Sequence, residues 1–228
     1  MSEREAILAR IREALKITAP QPGSHDHEMP RVETETARDF SRWLPRVGES
    51  FEERVELFRA NSTELRADFR LLDSREELFS ALAAIRDGEG WKKIASHRGE
   101  LTDAACQALG LPVVATDGGY DVRELESCDA GITGCDALIA QTGSVLVTSR
   151  SAGGRALSIL PPHHVVLATR GQLLADLPAA FALLKEKYAG GGYPSMISLI
   201  TGPSRTGDIE RILVLGAHGP KTLTVLCV

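Results

Sequence analysis

The chain has 228 residues, of which 43% are hydrophobic and 25% are charged, and its formal net charge is −5 at pH 7. This length and composition predict a globular protein that can bury a full core. The acidic balance and the lack of a Lys/Arg stripe argue against nucleic-acid binding. No apolar run approaches the roughly 20 residues that cross a bilayer, so membrane insertion is not expected.

The N-terminal stretch, MSEREAILARIREALK, predicts an amphipathic helix that begins with a capping box of Ser2 and Glu5. A polar, Pro-containing linker follows it. We therefore predict a helical arm and linker over residues 1–30 and a single α/β domain over residues 31–228. The arm packs either on its own domain or on another surface, such as a second subunit of a homo-oligomer. Because the helix lacks an apolar signal-peptide core, a cytoplasmic protein is expected.

Helices and strands alternate in the next part of the chain. Apolar positions at steps of four and three predict one helix from Phe51 to Phe69. Ser74 is expected to cap a second helix and Thr102 a third, which Gly110 ends. Strands are predicted at KKIASH and LPVVAT, on either side of the third helix. This order predicts a parallel β-α-β unit.

The second half of the chain is richer in apolar runs that predict strands. DALIA and SVLVTS flank a QTG turn and are expected to pair with each other. The segment GQLLADLPAAFALLKEKY predicts a helix that the following glycines end. Further strands are predicted at HHVVLAT, MISLIT and TLTVLCV. Together these elements predict a doubly wound open α/β sheet with helices on both faces.

Three polar loops follow or adjoin these strands, where open α/β sheets bind their ligands. Their glycines, hydroxyls and arginines have the composition of an anion-binding site, although no strict phosphate-binding fingerprint occurs. The candidate ligand-binding residues are Thr142, Gly143, Ser144, Arg155, Gly202, Ser204, Arg205, Thr206 and Asp208. The alternative is ordinary turn chemistry, with Arg205 and Asp208 forming an internal salt bridge.

Histidines and cysteines add one candidate catalytic group. His218, within GAHGP, could act as an acid or base near neutral pH. His163 and His164 begin a strand, where alternation should send only one inward, and we expect hydrogen-bonded structural roles for them. The four cysteines lack the spacing of a metal or iron–sulfur site, so reduced thiols are expected.

Four motifs occurring in order resemble the LutC/YkgG lactate-utilisation family, also called the LUD domain. They are GITGCDALIAQTGSVLVTS, LSILPPHHVVLA, TGPSRTGDIE and GAHGP. The resemblance implies a fold like that of the NagB/RpiA/CoA-transferase group. It also implies a role in oxidising L-lactate to pyruvate beside partner proteins that carry iron–sulfur clusters. This chain would then bind no cofactor itself and would supply an anion-binding site and a docking surface.

One position departs from the family's pattern. Relatives often carry an acid where this chain has Gln141. CoA-transferases form a covalent thioester on a glutamate, which an amide cannot do, so that reaction is not expected. The alternative function is a stand-alone enzyme of the CoA-transferase/cyclo-ligase-like fold group that binds a phosphorylated or nucleotide ligand.

Overall fold

The structure is a computed structural model, and it describes residues 3–14, 16, 44–206 and 214–228. Contacts divide the chain into two units, Met1–Trp43 and Leu44–Val228. Helix α1 (Glu3–Ala14) belongs to the first unit. The domain boundary predicted at residue 30 lies outside the described residues and stays a prediction.

The second unit contains five helices and twelve strands in its described part. The helices are α2 (Phe51–Glu64), α3 (Arg75–Glu89), α4 (Glu100–Leu109), α5 (Val122–Glu126) and α6 (Leu177–Tyr188). The first six strands are β1 (Asp68–Leu71), β2 (Ile94–Ser96), β3 (Val113–Ala115), β4 (Ala130–Thr133), β5 (Ala137–Ile139) and β6 (Ser144–Thr148). The others are β7 (His163–Ala168), β8 (Leu173–Leu174), β9 (Ile197–Ile200), β10 (Arg205–Thr206), β11 (Val214–Leu215) and β12 (Thr222–Cys227).

Six strands form a fully parallel sheet in the order β1-β12-β7-β4-β2-β3. The chain runs outward from β2 to β3 and then returns past β2 to β4. This reversal makes a topological switch point between β2 and β4, the place where open α/β sheets form a ligand crevice. The predicted doubly wound α/β class is confirmed, including the parallel β2-α4-β3 unit.

Helices or a second sheet cover both faces of the parallel sheet. Helices α3 and α4 pack on one face through residues such as Leu82 and Leu109, against Ile132 and Val165 of the strands. The other face packs against α2 and a four-stranded sheet, as Phe58 shows. A strand covered on both faces is buried along its length, and every residue of β7 is buried.

The four-stranded sheet has the order β8-β5-β6-β9, and it contains the predicted antiparallel pairing of β5 with β6. One face, including Leu138 and Val145, joins the core shared with α2. The opposite face, including Ile139 and Leu146, is covered by α6. Its strand β9 lies at an edge and pairs only with β6 among the described residues.

The helix predicted from Phe51 to Phe69 is correct only in its first part. Helix α2 ends at Glu64, Arg66 adopts a left-handed φ of 64°, and the chain then extends into β1. Phe69 still packs on Phe58, with ring centroids 4.7 Å apart, but it does so from a strand. The pairing of β1 with β12 overrides the helical spacing of these residues. Local spacing does not predict this pairing, because β12 lies at the far end of the sequence.

Two helix starts also differ from the prediction. Helix α6 begins at Leu177 because Asp176 caps it, and its carboxylate accepts from the Ala179 amide at 2.9 Å. The preceding residues form a short 3-10 turn and β8 instead. Gly99, not Thr102, is the N-cap of α4. Thr102 lies in the first turn, where its hydroxyl donates to the carbonyl of His97 at 2.9 Å.

Both histidines at the start of β7 are buried, so the expectation that only one points inward is wrong. The β7 strand lies at the centre of a sheet covered on both faces, and alternation therefore sends each side chain into a core. His163 bonds to Glu89 at 2.8 Å and to Thr224 at 2.9 Å. His164 bonds to Thr133 at 2.9 Å, which agrees with the structural role predicted for both.

Candidate functional site

The carboxyl ends of β2 and β4 meet at the switch point, where His97 links the loops that follow them. Nδ1 of His97 donates to the carbonyl of Arg98 at 2.9 Å, and Nε2 accepts from the amide of Gly134 at 3.1 Å. These two bonds specify the tautomer that carries its proton on Nδ1. The imidazole therefore works here as a cross-link between two loops.

A close backbone approach holds His97 in place from the loop after β6. Gly153 has a φ of 61°, and a Cβ at that position would collide with the Cβ and Cγ of His97. The carbonyl of Gly153 also accepts from the hydroxyl of Thr116 at 2.8 Å. His97 is not among the site residues predicted from the sequence, although it ends a predicted strand, where open α/β sheets place their ligand loops.

Two cavities flank His97 at this edge of the sheet. One, of about 190 Å³, is lined by residues that include Thr102, Cys135, Thr169 and Gln172. Its polar walls already have partners: Gln172 donates to the carbonyl of Cys135 at 2.6 Å and accepts from the Thr169 amide at 2.7 Å. The other, of about 380 Å³, lies toward α4 and β3. In the smaller cavity, Gln172 and Thr169 therefore already bond to neighbouring residues.

The QTGS turn connects β5 to β6 and packs on α2. Asn61 donates to the carbonyl of Gln141 at 3.0 Å. A Cβ on Gly143, whose φ is 62°, would lie 2.8 Å from the Cβ of Asn61. Ser144 is buried and its hydroxyl lies 2.8 Å from that of Thr201. The hydroxyl oxygen of Thr142 is buried without a hydrogen-bond partner among the described residues.

The TGPSRT segment contains a turn and then strand β10, which pairs with β11. Gly202 has a φ of 84°, and a Cβ there would lie 2.6 Å from the carbonyl oxygen of Leu65, so close packing explains this glycine. Arg205 is exposed, and its guanidinium donates to the carbonyl of Thr201 at 3.3 Å. Thr206 is half-buried in β10. Asp208 lies outside the described residues.

The GAHGP loop precedes β12 and therefore lies at the amino edge of the parallel sheet. Hydrogen bonds at 2.9 Å join it to the TGPSRT segment, from the Ser204 amide to the Pro220 carbonyl and from the Gly216 amide to the Ser204 carbonyl. His218 is exposed and lines an open depression of about 520 Å³. Lys221 and Glu126 line the same depression.

The structure thus brings some of the predicted ligand-binding residues together and separates others. The Ser204 and His218 loops adjoin, and Ser144 contacts Thr201 at the start of the TGPSRT segment. Within the described residues, the guanidinium of Arg155 makes no hydrogen bond to these loops and donates instead to the carbonyl of Ser195 at 2.6 Å. The amino-edge position of His218 differs from the carboxyl-edge position expected for a ligand loop. The ligand-binding roles themselves stay predictions.

A buried carboxylate lies where the chain passes from β4 to β5. Oδ1 of Asp136 accepts from Nζ of Lys187 at 2.6 Å and from the hydroxyl of Tyr188 at 2.9 Å. Burial acts to raise the pKa of Asp136, but the hydrogen bonds, chiefly from Lys187, hold it below its ordinary value. The sequence alone does not reveal this pair, because Lys187 is 51 residues away from Asp136 along the chain.

Two features of the described residues bear on metals and membranes. Among these residues, no group of three or more His, Cys, Asp or Glu side chains is arranged to hold a metal ion. The helices of the described ranges also include none with the length and hydropathy needed to cross a bilayer.

Comparison with known proteins places this chain in a family. The family model described as the LUD domain matches residues 92–228, which is more than half of the chain. The chain belongs to the LUD domain family. The match covers β2 to β12, including the switch point, the QTGS turn and the two adjoining loops. A solved DUF162 family protein from Deinococcus radiodurans shares the fold, with a TM-score of 0.62 and 21% identity over 79% of this chain and 99% of that one.

Relatives of this LUD-domain chain include an uncharacterized protein and several proteins named lactate utilization protein C. An uncharacterized protein from Neisseria meningitidis serogroup B is 27% identical over 237 residues, covering 100% of this chain and 94% of the relative. Lactate utilization protein C of Shouchella clausii is 29% identical over 181 residues, covering 75% and 77%. The protein of the same name from Halalkalibacterium halodurans is 37% identical over 106 residues, which is 46% of each chain.

Proposed function

We propose that this LUD-domain chain is a LutC-like subunit that supports oxidation of L-lactate to pyruvate together with iron–sulfur partner proteins. The observation that carries the proposal is the similarity to lactate utilization protein C of Shouchella clausii over 75% of this chain. The subunit contributes an anion-binding loop and a docking surface, and its partners contribute the redox centres.

The environment of the cysteines supports the assignment of redox chemistry to partners. Iron–sulfur clusters need thiolate ligands, but burial raises the pKa of all four thiols, Cys106, Cys128, Cys135 and Cys227. The pKa of Cys227 is raised to about 11. Thiols that remain protonated at neutral pH are poor metal ligands and poor nucleophiles.

The anion-binding loop is the segment around Arg205. Its guanidinium is exposed, and its one hydrogen bond among the described residues is the long contact with the Thr201 carbonyl. The remaining donors are therefore available for a carboxylate, which a guanidinium can bind through two parallel bonds. The hydrogen bonds between the Ser204 backbone and the GAHGP loop hold this segment in place.

The docking surface is formed by α6 and the edge strand β9. Phe181 is 59% exposed, Ile197 42% and Leu199 40%. Exposed apolar side chains beside a strand edge are typical of a surface that a partner covers.

Growth and turnover measurements test the function. Deleting the gene should abolish growth on L-lactate and leave growth on pyruvate intact, and the wild-type gene should restore it. The purified chain alone should be colourless, contain no stoichiometric iron or flavin, and fail to oxidise lactate with an artificial electron acceptor. Robust lactate oxidation by the isolated chain would show an independent enzyme instead.

The docking surface can be tested with one matched pair of variants. Phe181→Asp places a charge on α6, and Val122→Asp places one at a 52% exposed position on α5. When produced together with the iron–sulfur proteins of the same organism, Phe181→Asp should lose co-purification and growth on lactate. Val122→Asp should retain both. Equal behaviour of the two variants would move the docking surface away from α6.

A further inference from the structure

We propose that the depression beside the GAHGP loop binds an organic anion with an apolar body, larger than lactate. This depression, called here the His218 depression, has a volume of about 520 Å³ and is lined by residues that include Glu126, Ile159, Leu160, Pro162, His218 and Lys221. Its volume lies within the range of roughly 300–1,000 Å³ found for sites of drug-sized ligands. A three-carbon acid would leave most of it filled with water.

Two nitrogen-bearing side chains supply the anion-binding end. Neither the His218 ring nor Nζ of Lys221 has a hydrogen bond or ion pair with any residue in the described ranges. Both can therefore donate to a carboxylate or phosphate without first losing a protein partner. An ammonium bound to an oxyanion forms a charge-assisted bond, which is stronger than a neutral one.

The backbone fixes where Lys221 can reach. Gly216 has a φ of 73°, and the Cδ of Lys221 lies 3.2 Å from the point that a Cβ would occupy there. The lysine stem therefore lies flat on this glycine. The amide of Lys221 also donates to the carbonyl of Pro162 at 2.8 Å. A side chain held at its base and along its stem loses less conformational freedom when a ligand binds.

The apolar wall sets the second requirement on the ligand. Ile159 is 46% exposed and lies with Leu160 and Pro162 in the segment that leads into β7. A ligand that covers this surface gains stability in proportion to the apolar area that it removes from water. The lining offers two donors, His218 and Lys221, against one carboxylate, Glu126. The two donors and the apolar wall together suit an anionic head group on an apolar body, and either an acyl carboxylate or an alkyl phosphate has that chemistry.

The test uses the full purified chain and isothermal titration with four probes: acetate, hexanoate, inorganic phosphate and hexyl phosphate. Each fully buried methylene tightens binding roughly fourfold, so even partial burial of its four extra methylenes should make hexanoate bind about tenfold tighter than acetate. Hexyl phosphate should exceed phosphate in the same way. The tighter of the two hexyl compounds identifies the head group that the site prefers.

Variants then locate the binding. Lys221→Met keeps the apolar stem and should weaken hexanoate or hexyl phosphate by about tenfold. Lys92→Met, at an exposed position just before β2, is the matched control and should leave the affinity for both hexyl compounds unchanged. Ile159→Asn should remove the advantage of the hexyl chain and leave acetate or phosphate binding unchanged. The circular dichroism spectrum and thermal midpoint of each variant verify that it is folded.

Three results would overturn the inference: no binding of either hexyl compound, equal affinity for long and short probes, or wild-type affinity in Lys221→Met. This outcome is independent of the proposal on lactate. The titrations use purified protein without partners, whereas the lactate proposal depends on growth and co-purification.

Discussion

The amide of Gly134 donates to Nε2 of His97 over 3.1 Å, and this bond ties the loop after β4 to the loop after β2. Gly153 presses on the same imidazole from a third segment of the chain. Three stretches that are remote in sequence therefore share one histidine at the switch point. The arrangement predicts that this edge of the sheet tolerates little change in volume.

The first prediction concerns Gly153→Ala. The new Cβ would collide with the Cβ and Cγ of His97 at a left-handed φ of 61°. Backbone strain and overpacking together should lower the free energy of unfolding by about 2–4 kcal/mol. Gly110→Ala is the control, since its left-handed φ of 63° is nearly the same but nothing lies within 4 Å of the added Cβ. Urea unfolding of both variants measures the difference, and equal losses would show that His97 yields without cost.

The second prediction concerns the buried pair of Asp136 and Lys187. Replacing Lys187 with Met should raise the pKa of Asp136, because burial then acts without its main opposing hydrogen bond. Since Lys187 is 47% exposed, we expect a moderate loss of about 1–3 kcal/mol at pH 7.

A double-mutant cycle checks this pair. Adding Asp136→Asn to Lys187→Met should cost less than the sum of the two single changes, because the second change removes the unpaired charge. Additive losses in urea unfolding would mean that the two side chains do not stabilise each other.

The third prediction follows from His164. Burial, with a smaller contribution from His163, lowers the pKa of His164 to about 3. An unfolded histidine has a pKa of about 6.5, so between these values the unfolded state binds a proton that the folded state does not. The contribution of His164 to the free energy of unfolding is therefore fully present above about pH 6.5. It falls as the pH decreases toward 3, by up to about 1.4 kcal/mol per pH unit. The free energy of unfolding, measured in urea between pH 7.5 and 4.5, should fall less steeply with decreasing pH for His164→Phe than for wild type. An identical pH dependence would contradict the lowered pKa of His164.

The fourth prediction concerns Arg205. If its guanidinium holds an anion, Arg205→Ala should weaken that ligand by about 10- to 100-fold, and Arg205→Lys should recover only part of the loss. Thermal-shift titrations with lactate, pyruvate, phosphate, nucleotides and CoA compare the three proteins. Full ligand-induced stabilisation of Arg205→Ala would favour the alternative, in which the arginine only fixes a turn.

Local signals in the sequence predicted much of the fold. Ser74 was identified as a cap, and its hydroxyl accepts from the Glu77 amide at 3.2 Å. Gly110 was identified as a helix end, and it has a left-handed φ of 63°. The paired strands β5 and β6 and the parallel β2-α4-β3 unit were also predicted correctly. Each of these signals lies within one element or between neighbouring elements, where propensity and capping act.

Only the tertiary structure decided the features that depend on distant partners. Residues 68–71 form a strand because β12, at the other end of the chain, offers hydrogen bonds that a local helical spacing cannot reveal. His97 became the centre of the switch point because β2, β4 and the Gly153 loop converge on it. Asp136 pairs with Lys187, which lies 51 residues away along the chain. Local chemistry in the sequence determined most of the elements, and four motifs carried the resemblance to the family. Burial and long-range pairing determined which side chains meet.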